Sequence, residues 1–306
     1  MPRTAAIEVA GNGLAQYMFD KVEVFYRPAS VPEALRLLHR LKAQARVVAG
    51  GTDVVVQGGD SVRFLIDITR AGLSYIRRRG TAWAIGATTT MAELEASPEL
   101  QGLAGGLLCR AARTCGSIPV RNLATLGGNM ANGSPAADMA TPLLVLDASV
   151  VMADAKGRRK LPLAEYLANA RTDRYAKCLL VEVVIPDPPR GKGCRWSFQK
   201  LGRTAVDISL VNVSAGLETD SRGRVKWARI ALGSVAPVPM RAPGAEKLLV
   251  GRIVEQALLA EIGAEVAREV CPITDARASA EYRREICSVL TRRALDECSA
   301  HAGCTL

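Results

Sequence analysis

Histidine is nearly absent from this chain: only His39 and His301 occur in 306 residues. Imidazole acid–base chemistry therefore has almost nothing to work with, and His39 falls in an amphipathic helical pattern where a surface position is the simpler reading. The eight cysteines, at 109, 115, 178, 194, 271, 287, 298 and 304, include no CxxC pair. Zinc and iron–sulfur sites gather their ligands at short spacing. The chain is thus not expected to hold a metal, and its thiols read as reduced, mostly buried groups of a cytoplasmic protein. Aromatic residues are scarce, at 4%, and no apolar run approaches the roughly 20 residues of a spanning helix. The longest candidate, from Thr141 to Ala153, is interrupted by Asp147, so no membrane span is expected. The leading MPRTAAIEVAGNG lacks a continuous apolar core, so no secretory signal is expected either. Also missing are a GxGxxG opening a helix, a GxxxxGK[ST] loop, a GxSxG elbow and an HExxH helix. These absences leave Rossmann, P-loop, serine-hydrolase and zinc-protease sites unsupported.

The formal charge is +10, with basic runs at Arg77-Arg78-Arg79, Arg158-Arg159-Lys160, Arg283-Arg284 and Arg292-Arg293. They are scattered and lack interleaved aromatics, which argues against nucleic acid and for solvated faces or an acidic protein partner.

The length is too great for one small core and points to two domains. Residues 1–19 read as a loose leader, 20–190 as one domain with subdomains at about 20–75 and 76–190, and 191–306 as a second. Val22–Tyr26 reads as a strand. Ser30-Val31-Pro32-Glu33 is a capping box before the helically spaced Ala34, Leu35, Leu37, Leu38 and Leu41. Strands are expected at 46–49, 64–68, 83–87, 143–152 and 179–185, a second capping box at Thr90–Glu93, and a broken helix over 100–114. Residues 116–138 show little periodicity, and long irregular stretches in compact domains are usually functional. After the PDPPRGKG linker, strands at 196–200, 209–217 and 226–233 precede helices at 245–249, 254–270 and 280–300, an α+β order.

Two segments share one design. RVVAGGTDVVV (46–56) and ATLGGNMAN (124–132) each run strand-forming residues into adjacent glycines and then a polar side chain. Glycine turns expose successive backbone N–H groups and can form a concave anion site. Two of them could grip a diphosphate, with the Thr52 and Thr125 hydroxyls donating and Asp138 accepting from a sugar or ribityl hydroxyl. Two ordinary hairpin turns would look the same in sequence.

AGGTDVVV at 49–56 and SIPVRNLATLGGNMANGSPAADMATPLLVLDA at 117–148 together resemble the FAD-binding subunit of molybdenum hydroxylases, the group of xanthine and carbon monoxide dehydrogenases. FYRPAS at 25–30, PMRA at 239–242 and SAEYRR at 279–284 extend the likeness to about residues 20–300. The resemblance implies a two-subdomain FAD-binding fold of the vanillyl-alcohol-oxidase (PCMH) type, followed by a C-terminal α+β domain with a three-stranded antiparallel sheet and helices. It implies that Val47, Val48, Ala49, Gly50, Gly51, Thr52, Asp53 and Val54 wrap the FAD diphosphate through main-chain amides, and that Ala124, Thr125, Gly128 and Asn129 meet it from the second subdomain. Asn132 and Asp138 lie in the matching stretch beyond, with Asp138 on a cofactor hydroxyl and Leu180 beside the flavin or adenine. Lys200 matches a lysine near the isoalloxazine, where a cation would stabilise reduced, anionic flavin; a plain surface lysine is the other reading. Residues 129–138 carry no cysteine-rich insertion, which disfavours the benzoyl-coenzyme-A-reductase branch with its extra cluster.

The function so implied is electron transfer. A large partner subunit holds the molybdenum cofactor, a small partner subunit holds iron–sulfur clusters, and FAD in this chain passes electrons to NAD or another acceptor. No side chain here is then an essential acid or base. Xanthine or purine oxidation is the first expectation, with carbon monoxide, aldehyde or N-heterocycle oxidation as alternatives. A non-redox scaffold lacking flavin is the rival from another class, and an independent flavin oxidase a third.

Overall fold

The computed structural model describes residues 5–8, 21–59, 61–189, 191 and 193–300, and the chain divides into two compact units. The first unit takes the chain up to Met91 together with Pro119–Asn132 and Ser149–Val184; the second takes Ala92–Ile118, Gly133–Ala148 and everything from Ile185.

The first unit holds two sheets. Strands β1 (Ala5–Glu8), β2 (Val24–Arg27), β3 (Ala45–Val48) and β4 (Phe64–Asp67) form one sheet in the order β1-β2-β4-β3. β2 and β3 both run parallel to β4, and β1 is antiparallel to β2. Helix Val31–Leu41 makes the crossover from β2 to β3. At its N-terminus the Ser30 hydroxyl accepts from the Glu33 N–H as the capping box predicts, and Glu33 Oε2 accepts from the N–H of Ala29, one residue before the cap, at 2.8 Å. Val31, Ala34, Leu35, Leu37 and Leu38 form its buried stripe. His39, expected at the surface, is half-buried, and its Nε2 has no partner among the described residues. The expected leader contains a strand, β1, whose Ala5 pairs with Arg27; its other residues up to 19 lie outside the described residues.

The second sheet comprises β5 (Ile76–Arg79), β6 (Ala82–Gly86), β7 (Ser149–Asp154), β8 (Gly157–Pro162) and β9 (Leu179–Pro186), in the order β5-β6-β9-β7-β8. Central β9 is an almost continuous apolar run because both its faces are buried. Its one carboxylate, Glu182, accepts from the Tyr75 hydroxyl at 2.7 Å and pairs with Arg79 at 3.0 Å. The runs Arg77-Arg78-Arg79 and Arg158-Arg159-Lys160 occupy the two edge strands, where charge discourages pairing with another chain.

In the second unit β10 (Cys194–Leu201), β11 (Val211–Thr219), β12 (Val225–Gly233) and β13 (Met240–Arg241) form an antiparallel sheet in chain order. It has four strands rather than the expected three; β13 is two residues long, too short to leave a periodic signal. Helices Pro243–Leu249, Gln256–Glu269 and Ala280–Ala300 supply Leu249, Leu258, Ile262, Val266, Leu290 and Leu295 to a core shared with Val213, Leu217, Ile230 and Leu232. Arg283 is 2% exposed, and its guanidinium donates to the carbonyl of Leu210 and to Asp275, both at 2.8 Å.

Two expectations fail between residues 116 and 152. The segment 143–152 is not one strand: Ala140–Val145 is a helix buried on every side, and β7 starts at Ser149. An apolar run with no polar face carries no period that separates helix from strand. Residues 116–138 are not irregular throughout, since short helices form at Ile118–Leu123 and Leu126–Ala131.

Candidate functional site

The site starts where β3 ends. Val48 is buried and its carbonyl accepts from the Ile68 N–H at 2.9 Å, which anchors the strand's exit. The chain then turns through Gly51, at φ 73°, a left-handed value that favours glycine, into the one-turn helix Val54–Gln57. The backbone N–H groups of Ala49, Gly50, Gly51, Thr52, Asp53 and Val54 have no acceptor among the described residues, and neither does the Thr52 hydroxyl. Consecutive unengaged donors on a turn are the arrangement that binds an anion. The loop's carboxylate is that of Asp53: desolvation by the surrounding protein raises its pKa above the ordinary value, and the Arg46 guanidinium opposes that in part.

The second glycine segment lies against the first. A Cβ on Gly50 would stand 1.8 Å from the Leu123 carbonyl oxygen. Gly127 is also constrained, less severely: its Cβ would meet the Ala87 oxygen at 2.6 Å, and its N–H donates to that oxygen at 2.8 Å. Ala124 accepts from the Met91 N–H at 2.8 Å, and Leu126 donates to Thr89 at 2.9 Å. Thr125 caps helix Leu126–Ala131: its buried hydroxyl oxygen accepts from the Gly128 N–H at 3.1 Å and its carbonyl from Asn129 at 2.9 Å. The two turns therefore differ. The amides of Leu126, Gly127, Gly128 and Asn129 are spent inside the protein, whereas those of 49–54 are not. What the second segment still offers is the Thr125 hydroxyl proton and the exposed Gly128 backbone; Asn129 is half-exposed.

Asn132 is half-exposed, and its Oδ1 accepts from Gln57 Nε2 at 2.7 Å. Gln57 Oε1 in turn accepts from Arg46, whose other guanidinium nitrogen donates to the Gly58 carbonyl at 2.8 Å. Neither Arg46 nor Gln57 stands out in the sequence, because their partnership exists only once the loop has folded. Leu180 is buried in β9, paired with Met152 beside a register shift in β7.

In the second unit Asp138 and Lys200 form a buried ion pair, Nζ to Oδ2 at 2.7 Å, with side chains 8% and 7% exposed. Ser209 donates to Asp138 Oδ1 at 2.7 Å, and Lys200 also donates to the Thr114 carbonyl at 2.8 Å. Burial pushes the Asp138 carboxyl up from its ordinary range, while Lys200 and Ser209 pull the other way. Lys200 is thus no surface lysine. It keeps one of its three N–H bonds, and Asp138 keeps lone pairs for a further donor. Ser209 and Thr114 carried no sequence signal.

Among the described residues no cluster of metal-ligating side chains exists, seven cysteines are free, and no helix is long and apolar enough to cross a membrane.

Residues 17–188 match the model of the FAD binding domain in molybdopterin dehydrogenase, and residues 196–298 that of the CO dehydrogenase flavoprotein C-terminal domain. A putative xanthine dehydrogenase FAD-binding subunit of Escherichia coli K12 is 31% identical over 296 residues, covering 94% of this chain and 99% of its own. The carbon monoxide dehydrogenase medium chain of Hydrogenophaga pseudoflava is 32% identical over 280 residues, covering 89% of this chain and 95% of its own. Among solved structures, a chain of the Cu,Mo-CO dehydrogenase in its cyanide-inactivated form superposes with a TM-score of 0.85 at 30% identity, over 90% of this chain and 97% of that one.

Proposed function

The chain belongs to the family of FAD-binding subunits of molybdenum hydroxylases, and from that premise we propose that it relays electrons from a partner's iron–sulfur clusters to an acceptor such as NAD. It is an oxidoreductase subunit and its cofactor is FAD. When bound, FAD supplies the redox chemistry; the chain supplies position and electrostatics. The observation that carries the reading is the run of unengaged amides from Ala49 to Val54, backed by the Leu123 carbonyl. In this reading those amides, on the rigid base of Val47 and Val48, wrap the diphosphate, and the Thr52 and Thr125 hydroxyls add donors. Ala124, Gly128 and Asn129 face the same group, with Leu180 set for the ring systems. Asp138 and Lys200 each retain the hydrogen-bonding capacity that a cofactor hydroxyl and the flavin ring, respectively, would use.

On the same reading a large partner subunit carries the molybdenum cofactor and oxidises the substrate, and a small one carries the clusters. Xanthine or purine oxidation is favoured by the E. coli relative, matched over 94% of this chain. The carbon monoxide reading is supported by a medium chain of nearly the same identity, 32%. Substrate choice belongs to the large subunit, which is why this chain weighs little between them.

Native purification followed by absorption spectroscopy and mass spectrometry of the intact complex tests the proposal. A flavin spectrum, one FAD per chain and two co-purifying subunits with molybdenum and iron are expected. A colourless chain in the complex would support the scaffold reading instead, and a yellow chain without partners an independent flavoprotein. Purine- and carbon monoxide-dependent reduction of the complex then separates the two substrate readings.

A further inference from the structure

The loop 49–54 poses a mechanical problem. A segment that keeps its amides free for a ligand cannot be held in place by those amides. Its restraints must come from elsewhere: the Gly51 and Asp53 carbonyls accept from the Val55 and Gln57 N–H groups at 2.9 Å, which ties the loop to its own helical turn, and two further restraints tie it to the rest of the unit. One is steric, the approach of Gly50 to Leu123. The other is a chain of side-chain hydrogen bonds. Arg46, on β3 before the loop, donates to the Gly58 carbonyl just after it, at 2.8 Å, and so closes the loop's base. Arg46 also donates to Gln57 Oε1, which fixes the amide orientation that lets Gln57 Nε2 donate to Asn132 Oδ1 at 2.7 Å. Asn132 directly follows the second glycine helix, Leu126–Ala131, and its own N–H is tied to the Gly128 carbonyl at 2.9 Å.

We propose that Arg46, Gln57 and Asn132 form a positioning latch that holds the amide-bearing loop 49–54 against the 124–132 segment and so sets the affinity for the cofactor diphosphate. The inference rests on the reading of this loop as the diphosphate site. It gives Asn132 a different duty from the direct cofactor contact its sequence position implies, because its side-chain oxygen is already engaged by Gln57. Pre-organising a binding loop raises affinity by lowering the ordering cost of binding, with no new contact to the ligand. Gln57 is exposed and Asn132 half-exposed, so little of the fold's core depends on them.

The experiment uses the full chain, stripped of flavin and titrated with FAD by fluorescence, alongside thermal melting of the flavin-free protein. Gln57→Met, which keeps length but no polar atoms, and Asn132→Ala are each expected to weaken FAD binding about five-fold, the scale of one exposed hydrogen bond. Melting of the flavin-free protein stays unchanged. The double variant is expected to be no weaker than either single one, since both cut the same link. Wild-type affinity in Gln57→Met overturns the latch. So do losses that multiply in the double variant, because Asn132 would then act on the cofactor independently. Equal melting losses in both flavin-free singles would also overturn it, making the effect one of stability. A wild-type chain that binds no FAD removes the underlying reading as well, and that outcome differs from all the others.

Discussion

Gly50 and Leu123 are in backbone contact: no side chain fits between the Gly50 Cα and the Leu123 carbonyl, since a Cβ would lie 1.8 Å from that oxygen and 2.4 Å from its carbon. Backbone cannot swing aside as a flexible side chain can. Gly50→Ala is therefore expected to cost about 3 kcal/mol or more and to lower flavin content with it. Gly51→Ala makes the useful comparison. Its Cβ would find only Val55 at 3.6 Å, and the expense is confined to a φ of 73°, about 1–2 kcal/mol. Thermal melting of the two variants reads the difference; equal losses would show that the close approach does not matter.

Gly128 is exposed, and a Cβ there would stand 2.9 Å from the Thr125 hydroxyl that caps the helix. Gly128→Leu is expected to abolish FAD binding by blocking backbone approach, with the cap displaced as a smaller, separate loss. Flavin per chain after purification is the measurement, and full occupancy would move the site elsewhere.

Lys200→Met leaves Asp138 buried without its ammonium, a change on the order of 3–5 kcal/mol. Pairing it with Asp138→Asn removes the stranded charge and is expected to recover part of the loss. The single variant also acquires a pH signature. Burial already raises the Asp138 carboxyl, and without Lys200 the main opposing influence is gone. A group whose folded pKa lies above its unfolded one stabilises fully below the unfolded value and loses that contribution as pH rises through the folded value. Lys200→Met should therefore melt progressively lower than wild type as pH rises above the ordinary aspartate value of about 4. A gap that stays constant as pH rises would overturn the assignment.

The thiols should divide by burial. Burial pushes Cys287 and Cys298 up to about 12, and Cys109 is raised for the same reason, whereas Cys271 is exposed. Only the thiolate alkylates readily. Among the described cysteines, brief iodoacetamide treatment of the native protein near about pH 8 should modify Cys271 first and spare Cys109, Cys287 and Cys298, as read by peptide mass spectrometry. Early labelling of Cys287 would mean that the C-terminal helix opens.

Elements with a clear period were legible. The Ser30–Glu33 capping box introduces helix Val31–Leu41, and β10, β11 and β12 fall close to their expected ranges. Elements without a period were not. Ala140–Val145 is buried all round and looked like a strand, β13 is two residues long, and β1, at four residues, is too short to announce itself. At the site, both glycine pairs, Thr125 and the residues Asp138 and Lys200 could be singled out. Their partners Leu123, Ala87, Gln57, Ser209 and Thr114 could not, because each lies far along the chain from the group it serves.

By itself, the sequence marked Gly50-Gly51 and Gly127-Gly128 as the turns to examine, and the long ordered motifs around them carried the family likeness. Only the tertiary structure decided why each glycine is there. Gly50 and Gly127 answer to neighbouring backbone, Gly51 to a left-handed turn, and of the two turns only the first keeps its amides free. The tertiary structure likewise turned Lys200 from a lone cation into half of a buried pair. The physical reason is the same in both cases. Steric contact and the competition for hydrogen-bond acceptors depend on distances between residues remote in sequence, and those distances exist only in the folded chain.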